Sequence, residues 1–179
     1  MENYTNSADG ATKNRVDSTV STPSEAVQFL RLLDPTGRGL FFRAFEEKRP
    51  EMAGKKRGAK NFDGPFEDIC DELQRLNRRN WGVYVVINAG GHSADAITKI
   101  RAIYGDFDRE PLADFPIEPS IRVETSPGKF HALWLVEGDM SRAEFAALMA
   151  VIVEKLGADR GAKDIARVLR VPGFEHRKG

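Results

Sequence analysis

Ile100-Arg101-Ala102-Ile103-Tyr104-Gly105-Asp106-Phe107-Asp108 is an apolar run that ends in two carboxylates one residue apart. On a β-strand the side chains at i and i+2 point to one face, so Asp106 and Asp108 converge while Phe107 turns the other way. Two convergent carboxylates outline a divalent-metal site, because hard cations such as Mg²⁺ bind through one or two acids plus substrate phosphates. Alone, Asp-x-Asp also closes many strands as a simple loop cap. The neighbouring segments decide between these readings.

Upstream, 81–89 reads as a central strand: Val83, Val85 and Ile87 alternate with Tyr84, Val86 and Asn88, so both faces are largely apolar. Gly90-Gly91-His92-Ser93 is a loop into the acidic strand. Downstream, 120–126 and 130–137 form a hairpin around Pro127-Gly128. If its loop has an even number of residues, Glu124 stands opposite His131 on one face, and an odd loop breaks that pairing. Phe130 and Trp134 lie on the other face and read as core.

Helices flank these strands. Thr22-Pro23-Ser24-Glu25 announces one, with Val27, Leu30 and Leu33 on a face and Asp34-Pro35 as its stop. A strand over 40–45 follows, with Phe42 and Phe45 as core residues, and the polar, Gly-rich stretch 48–62 reads as a mobile loop. A second helix starts near Asp63-Gly64-Pro65 and stops around Asn80. Ser141-Arg142-Ala143-Glu144 is a capping box for a helix that carries Phe145, Leu148, Met149, Ile152, Val153 and Leu156 and closes at Gly157. A last short helix is expected to hold Ile165, Val168 and Leu169. Helices around hairpin-joined strands, with no βαβ alternation, predict an α+β domain with a mixed or antiparallel sheet.

The 179 residues carry 27 basic and 27 acidic side chains, so any nucleic-acid footprint must be a local patch. Lys55-Lys56-Arg57 with Lys60, and the series Arg160, Lys163, Arg167, Arg170, Arg177, Lys178, are the two basic clusters. A run like the first is ordinarily a solvated face. One cysteine, Cys70, excludes a disulfide framework or a cysteine zinc cluster and fits a reducing cytoplasm. No apolar stretch approaches a membrane span, and no charged leader precedes an apolar core. Residues 1–21 are too polar to offset the entropy of ordering and read as a disordered tail, with 22–179 as one domain.

Three blocks carry the chemistry in order: the acidic strand; Val123-Glu124-Thr125-Ser126-Pro127-Gly128-Lys129-Phe130-His131; and Asp164-Ile165-Ala166-Arg167-Val168-Leu169-Arg170-Val171-Pro172-Gly173-Phe174 with His176-Arg177-Lys178. Together they resemble the archaeo-eukaryotic primase superfamily, and within it the RepB-like primases of plasmids and phages, over residues 82–178. The resemblance implies an RNA-recognition-motif-like sheet with flanking helices and an N-terminal α/β unit. It implies templated nucleotidyl transfer on single-stranded DNA, with NTPs or dNTPs as substrates and two Mg²⁺ or Mn²⁺ ions held by Asp106, Asp108 and Asp164. His131, Ser126, Lys129 and Arg167 would hold the triphosphate. Asn88, which ends a strand, and Arg122, Glu124 and Arg170 are further candidates. A replicative helicase or accessory primase domain is the implied protein partner, and the helicase, helix bundle or zinc module of larger relatives is not visible.

Each residue also has a plainer reading. His131 in an apolar strand is ordinarily a core histidine with one hydrogen bond. Asp164 between Lys163 and Arg167 is a helix-surface ion pair, and Arg167 and Arg170 share a helix face if that helix persists. His92 and His176 have no metal-ligand spacing and default to exposed loops. Gly90-Gly91 is no phosphate loop, since no Gly-Lys-Ser/Thr follows. Rival functions are a non-catalytic replication initiator on the same fold, which would be expected to have lost an acid, and a metal-dependent nuclease.

Overall fold

The computed structural model describes residues 24–47, 54 and 56–175. The tail 1–21, the Thr22-Pro23 cap, Lys55, His176, Arg177 and Lys178 lie outside the described residues. Among those described, β1 (Phe41–Glu46), β2 (Ala59–Asp63), β3 (Trp81–Val86) and β7 (Val168–Arg170) form one sheet in the order β2-β1-β3-β7. The strands β4 (Ala102–Phe107), β5 (Ile121–Ser126) and β6 (Lys129–Leu135) form a second, in the order β4-β6-β5. Every strand pairing is antiparallel, so of the two sheet types expected the antiparallel one is found.

Three α-helices cover the sheets: α1 (Ser24–Leu33), α2 (Phe66–Arg78) and α3 (Arg142–Val151). Ala26, Phe29, Leu30 and Leu33 give α1 its buried stripe at three- and four-residue spacing. In α3 the Ser141 hydroxyl accepts from the Glu144 amide while the Glu144 carboxylate accepts from the Ser141 amide. That is the capping box read from sequence. Beyond Val151 the chain widens into a π turn, 152–156, and Gly157 ends it at φ 78°. Phe42, Val83, Val85 and Leu169 from the first sheet share one apolar cluster with Tyr104, Phe107, Phe130 and Leu133 from the second.

In the first sheet the structure departs from expectation in three places. The end of the stretch read as a loop, 59–62, forms with Asp63 the edge strand β2 (Ala59–Asp63), paired with β1. Its residues are almost all exposed, so no apolar alternation marks it. The expected last helix is instead a turn followed by β7, because Val168, Leu169 and Arg170 pair with Val86, Val85 and Tyr84. Pro172 also disfavours helix at Val171. Phe45, expected in the core, is half-buried on the face of β1 opposite Phe42.

Asp34 shows how the helical layer is tied to β4. Its carboxylate accepts from the Thr36 hydroxyl (2.7 Å), the Thr36 and Gly39 amides (3.0 and 2.9 Å) and Arg101 Nη2 (2.8 Å). Burial alone would raise its pKa. The bonds from Thr36 and Gly39 and the Arg101 charge outweigh burial and hold it below the ordinary 3.8. A carboxyl lowered on folding adds stability above its unfolded pKa and loses it as pH falls through the folded value. Asp34→Ala strands the Arg101 guanidinium, whose side chain is only 10% exposed, and should cost about 3 kcal/mol near pH 7. Urea unfolding should show that gap narrowing below about pH 4; an unchanged midpoint at neutral pH would remove the pair from the account.

Candidate active site

A cleft of about 340 Å³ opens where the end of β4 and the β5–β6 hairpin face the surface of the first sheet. Phe45, Arg57, Tyr84, Asp106, Asp108 and His131 line it, together with Thr125, Ser126, Lys129 and the 167–170 segment. Asp106 stands directly across from His131 in the β4–β6 ladder, which puts both side chains on one face. On the other face Phe107 stacks on Phe130 with ring centroids 5.0 Å apart. Gly105 leaves room for that ring, since a Cβ there would lie 2.4 Å from Phe107 Cε2. The buried Phe107 thus fixes the strand's facing, and Asp106 is held toward the cleft by alternation.

The hairpin loop has two residues, Pro127 and Gly128, yet Glu124 does not face His131. A bulge between Glu124 and Ser126 shifts the register by one, so Val123 pairs with His131 and Glu124 with Phe130. Arg122 and Glu124 are thereby turned to the other face, and the Arg122 guanidinium lies 3.7 Å from the Phe130 ring centroid. The bulge leaves Thr125 and Ser126 lining the cleft.

Asp106 is 30% exposed and Asp108 70%. Burial, then the charge of Asp108, raises the Asp106 pKa against the pull of Arg167, and Asp159 adds to the rise. His131 is lowered to about 4 by burial, then by the charges of Arg170 and Arg167. Its Nε2 lies 3.6 Å from Asp106 Oδ1, but a neutral imidazole at that distance makes neither an ion pair nor a hydrogen bond. His131 Nδ1 is buried without a protein partner. Lys129 Nζ reaches Asp108 at 2.6 Å, and Arg167 lies 3.8 Å from Asp159.

Asp164 is placed differently. Its carboxylate accepts from the Ala166 amide at 2.8 Å, its carbonyl accepts from the Tyr104 hydroxyl and the Arg167 amide, and it does not line the cleft. Asn88 is fully buried: its Nδ2 donates to the Ile165 carbonyl at 3.0 Å, and its Oδ1 accepts from the Arg101 and Ala102 amides. It is a strut between β4 and the 164–167 turn. Arg170 reaches the cleft from β7. His92, expected to be exposed, is bonded to Asp63 at 2.6 Å and edges the Phe41 ring.

Sequence reasoning missed Arg57, Phe45, Tyr84, Thr125 and Asp159. Arg57 was legible as a cation but looked solvated, and Asp159 sits just after the Gly157 helix stop with no motif around it. Among the described residues no three His, Cys, Asp or Glu side chains converge as a ready metal cage. What the cleft offers is two carboxylates beside a strand end, one pushed toward its protonated form by burial and its neighbour. That donor set fits a divalent ion that completes its shell with phosphate and water.

Residues 95–179 match the family model of the RepB DNA-primase N-terminal domain. The match covers a little under half of the chain and makes that segment similar to the RepB primase family. The fold of the chain is that of an archaeo-eukaryotic primase domain. It superposes on the primase-polymerase AEP domain of cyanophage S-2L with a TM-score of 0.67 and 22% identity, over 85% of this chain and 82% of that one. Primase RepB′ gives 0.58 and 18%, over 88% of this chain and 51% of the RepB′ chain. The RepB′ catalytic domain in complex with initiator DNA gives 0.54 and 18%, over 84% and 77%. No curated protein matches by sequence. In this primase fold the matched segment contains β4, the β5–β6 hairpin, α3 and β7, which carry most of the cleft.

Removing Asn88 leaves the Ile165 carbonyl and two buried amides without their partner. Asn88→Ala should therefore lower unfolding free energy by about 2 kcal/mol or more, measured by urea denaturation. Unchanged stability would mean that the strut is not needed.

Proposed function

We propose that this chain is the catalytic domain of a primase or primase-polymerase that joins nucleoside triphosphates on a single-stranded DNA template, in replication of a plasmid, phage or other mobile element. The observation that carries the reading is the Asp106–Asp108 strand end set directly across from His131, with Lys129 and Arg167 lining the same cleft. The RepB family match and the likeness to a RepB′ domain bound to initiator DNA support the template. An accessory primase domain or a replicative helicase is the partner we assign, since the likeness covers 51% of the RepB′ chain.

Asp106 and Asp108 would hold Mg²⁺ or Mn²⁺. Such ions, when bound, lower the pKa of an attacking 3′-hydroxyl and offset charge on the transferring phosphoryl group. The chain's own part is binding and orientation. Lys129 and Arg167 supply charge to the triphosphate, the Ser126 hydroxyl supplies a donor, and His131 enters as a neutral imidazole. For the third acid we assign Asp159 in place of Asp164. The Asp159 charge is felt at Asp106 and its amide donates to the Asp106 carbonyl at 2.8 Å, whereas the Asp164 charge is felt at Tyr104.

Primer synthesis on single-stranded DNA, with labelled nucleotides and Mg²⁺ or Mn²⁺, tests this. Asp106→Asn should reduce the product at least about a hundredfold. Asp159→Asn should cost more activity than Asp164→Asn, and the reverse order would restore Asp164 to the site. A folded protein that binds DNA tightly and makes no product would favour the initiator reading. Cleavage of labelled DNA without nucleotides would favour the nuclease.

A further inference from the structure

One end of the cleft has no part in the chemistry above. There β1 and β3 place Phe45 and Tyr84 edge to face, with ring centroids 5.4 Å apart and an interplanar angle of 66°. Arg57 lies 5.4 Å from the Phe45 centroid, and Arg170 lies 4.8 Å from that of Tyr84. Arg170 Nη2 donates to Glu47 Oε1 at 2.8 Å and to the Tyr84 hydroxyl at 2.7 Å, and Arg57 pairs with Glu47 at 3.3 Å. Gly82, the register partner of Phe45, makes the arrangement possible. A Cβ on it would lie 2.3 Å from Glu47 Oε1, 2.8 Å from Tyr84 Cε2 and 2.9 Å from Arg170 Nη1. Absence of a side chain at position 82 is what seats the cluster.

We propose that this Phe45–Tyr84 wall, braced by Glu47 and Arg170, receives the nucleoside half of the nucleotide whose triphosphate meets Lys129 and Arg167; the inference rests on the primase reading above. Phe45 and Tyr84 line the same continuous cavity as Asp106, Asp108 and His131. A cavity of about 340 Å³ is within the range of small-molecule sites and exceeds what phosphates alone require. The faces of the two rings give a phosphate no hydrogen bond but offer π-face and apolar edge to a base or sugar, whatever the base. Tyr84 keeps its proton, since burial raises its pKa, and a phenol that accepts from Arg170 still has an O–H to give. The two ends of the cleft therefore differ in chemistry as the two ends of a nucleotide do.

Equilibrium binding in the presence of Mg²⁺ separates the ends. The probes are a non-hydrolysable nucleoside triphosphate, inorganic tripolyphosphate and a single-stranded oligonucleotide. Phe45→Ala should weaken the nucleoside triphosphate about tenfold and leave tripolyphosphate unchanged, which also shows that the cleft is folded. Phe45→Tyr, which keeps the ring, should restore the affinity, and Gly82→Ala should reproduce the loss by displacing Glu47, Tyr84 and Arg170. Equal loss for both phosphate ligands, no loss for either, or loss confined to the oligonucleotide overturns the assignment. Selective loss in a chain that makes no primer would sink the polymerase reading alone. Primer synthesis with unchanged nucleotide affinity in Phe45→Ala would sink this one alone.

Discussion

Asn88 couples parts of the chain that must stay in fixed relation for the cleft to exist. It follows β3, an inner strand of the first sheet, and its Oδ1 takes the Arg101 and Ala102 amides where β4 of the second sheet begins. Its Nδ2 holds the Ile165 carbonyl in the turn that leads to Arg167 and β7. One fully buried amide thus sets the start of the acidic strand and the position of the arginine segment. A buried side chain with three partners is strongly specified, because each bond lost leaves a desolvated backbone group. The Ile87 amide bonded to the Arg167 carbonyl and the Tyr104 hydroxyl bonded to the Asp164 carbonyl repeat the same link on either side.

With that frame fixed, the electrostatics of the cleft follow from placement. A chain of zero net formal charge gathers Arg57, Lys129, Arg167 and Arg170 around one cavity and sets Asp106 and Asp108 at its end. Burial, then the cations Arg170 and Arg167, keeps the histidine uncharged, while burial and Asp108 raise Asp106. Each group is held in a state that a polyanion with a divalent cation would relieve: the cation offsets the carboxylates, and the phosphates offset the arginines. This is the sense in which a chain of no net charge carries a local cluster of cations and carboxylates without a global basic field.

The fold was legible where apolar periodicity was clear, in α1, α2, the capped α3, the inner strand β3 and the strand that carries Asp106. Register was less so. Counting residues in the Pro127-Gly128 loop implied Glu124 opposite His131, and only the bulge at Thr125, which leaves no composition signal, reversed it. The edge strand β2 was missed because it buries almost nothing, and β7 because three residues of Val-Leu-Arg suit helix and strand alike until their partner β3 is known. Phe45 illustrates a third limit. An aromatic residue in a strand reads as core, and only the sheet's second face, left open beside a cleft, gives it another use.

Asp159 and Asp164 differ in how far their hydrogen-bonding capacity is already occupied. Asp164 has its carbonyl accepting from Tyr104 and from the Arg167 amide, and one carboxylate oxygen committed to the Ala166 amide, all within the turn that Asn88 also holds. Drawing its carboxylate toward a metal would break the turn that delivers Arg167. Asp159 caps the Gly161 amide and lies 3.8 Å from Arg167, from a half-exposed side chain, and its backbone is bonded to that of Asp106 itself. Turning toward the acidic strand would cost it one exposed cap, about 1 kcal/mol, and a long, partly exposed ion pair with Arg167. On that comparison Asp164 is the more firmly anchored of the two acids, and Asp159, bonded through its backbone to Asp106, is the less firmly held.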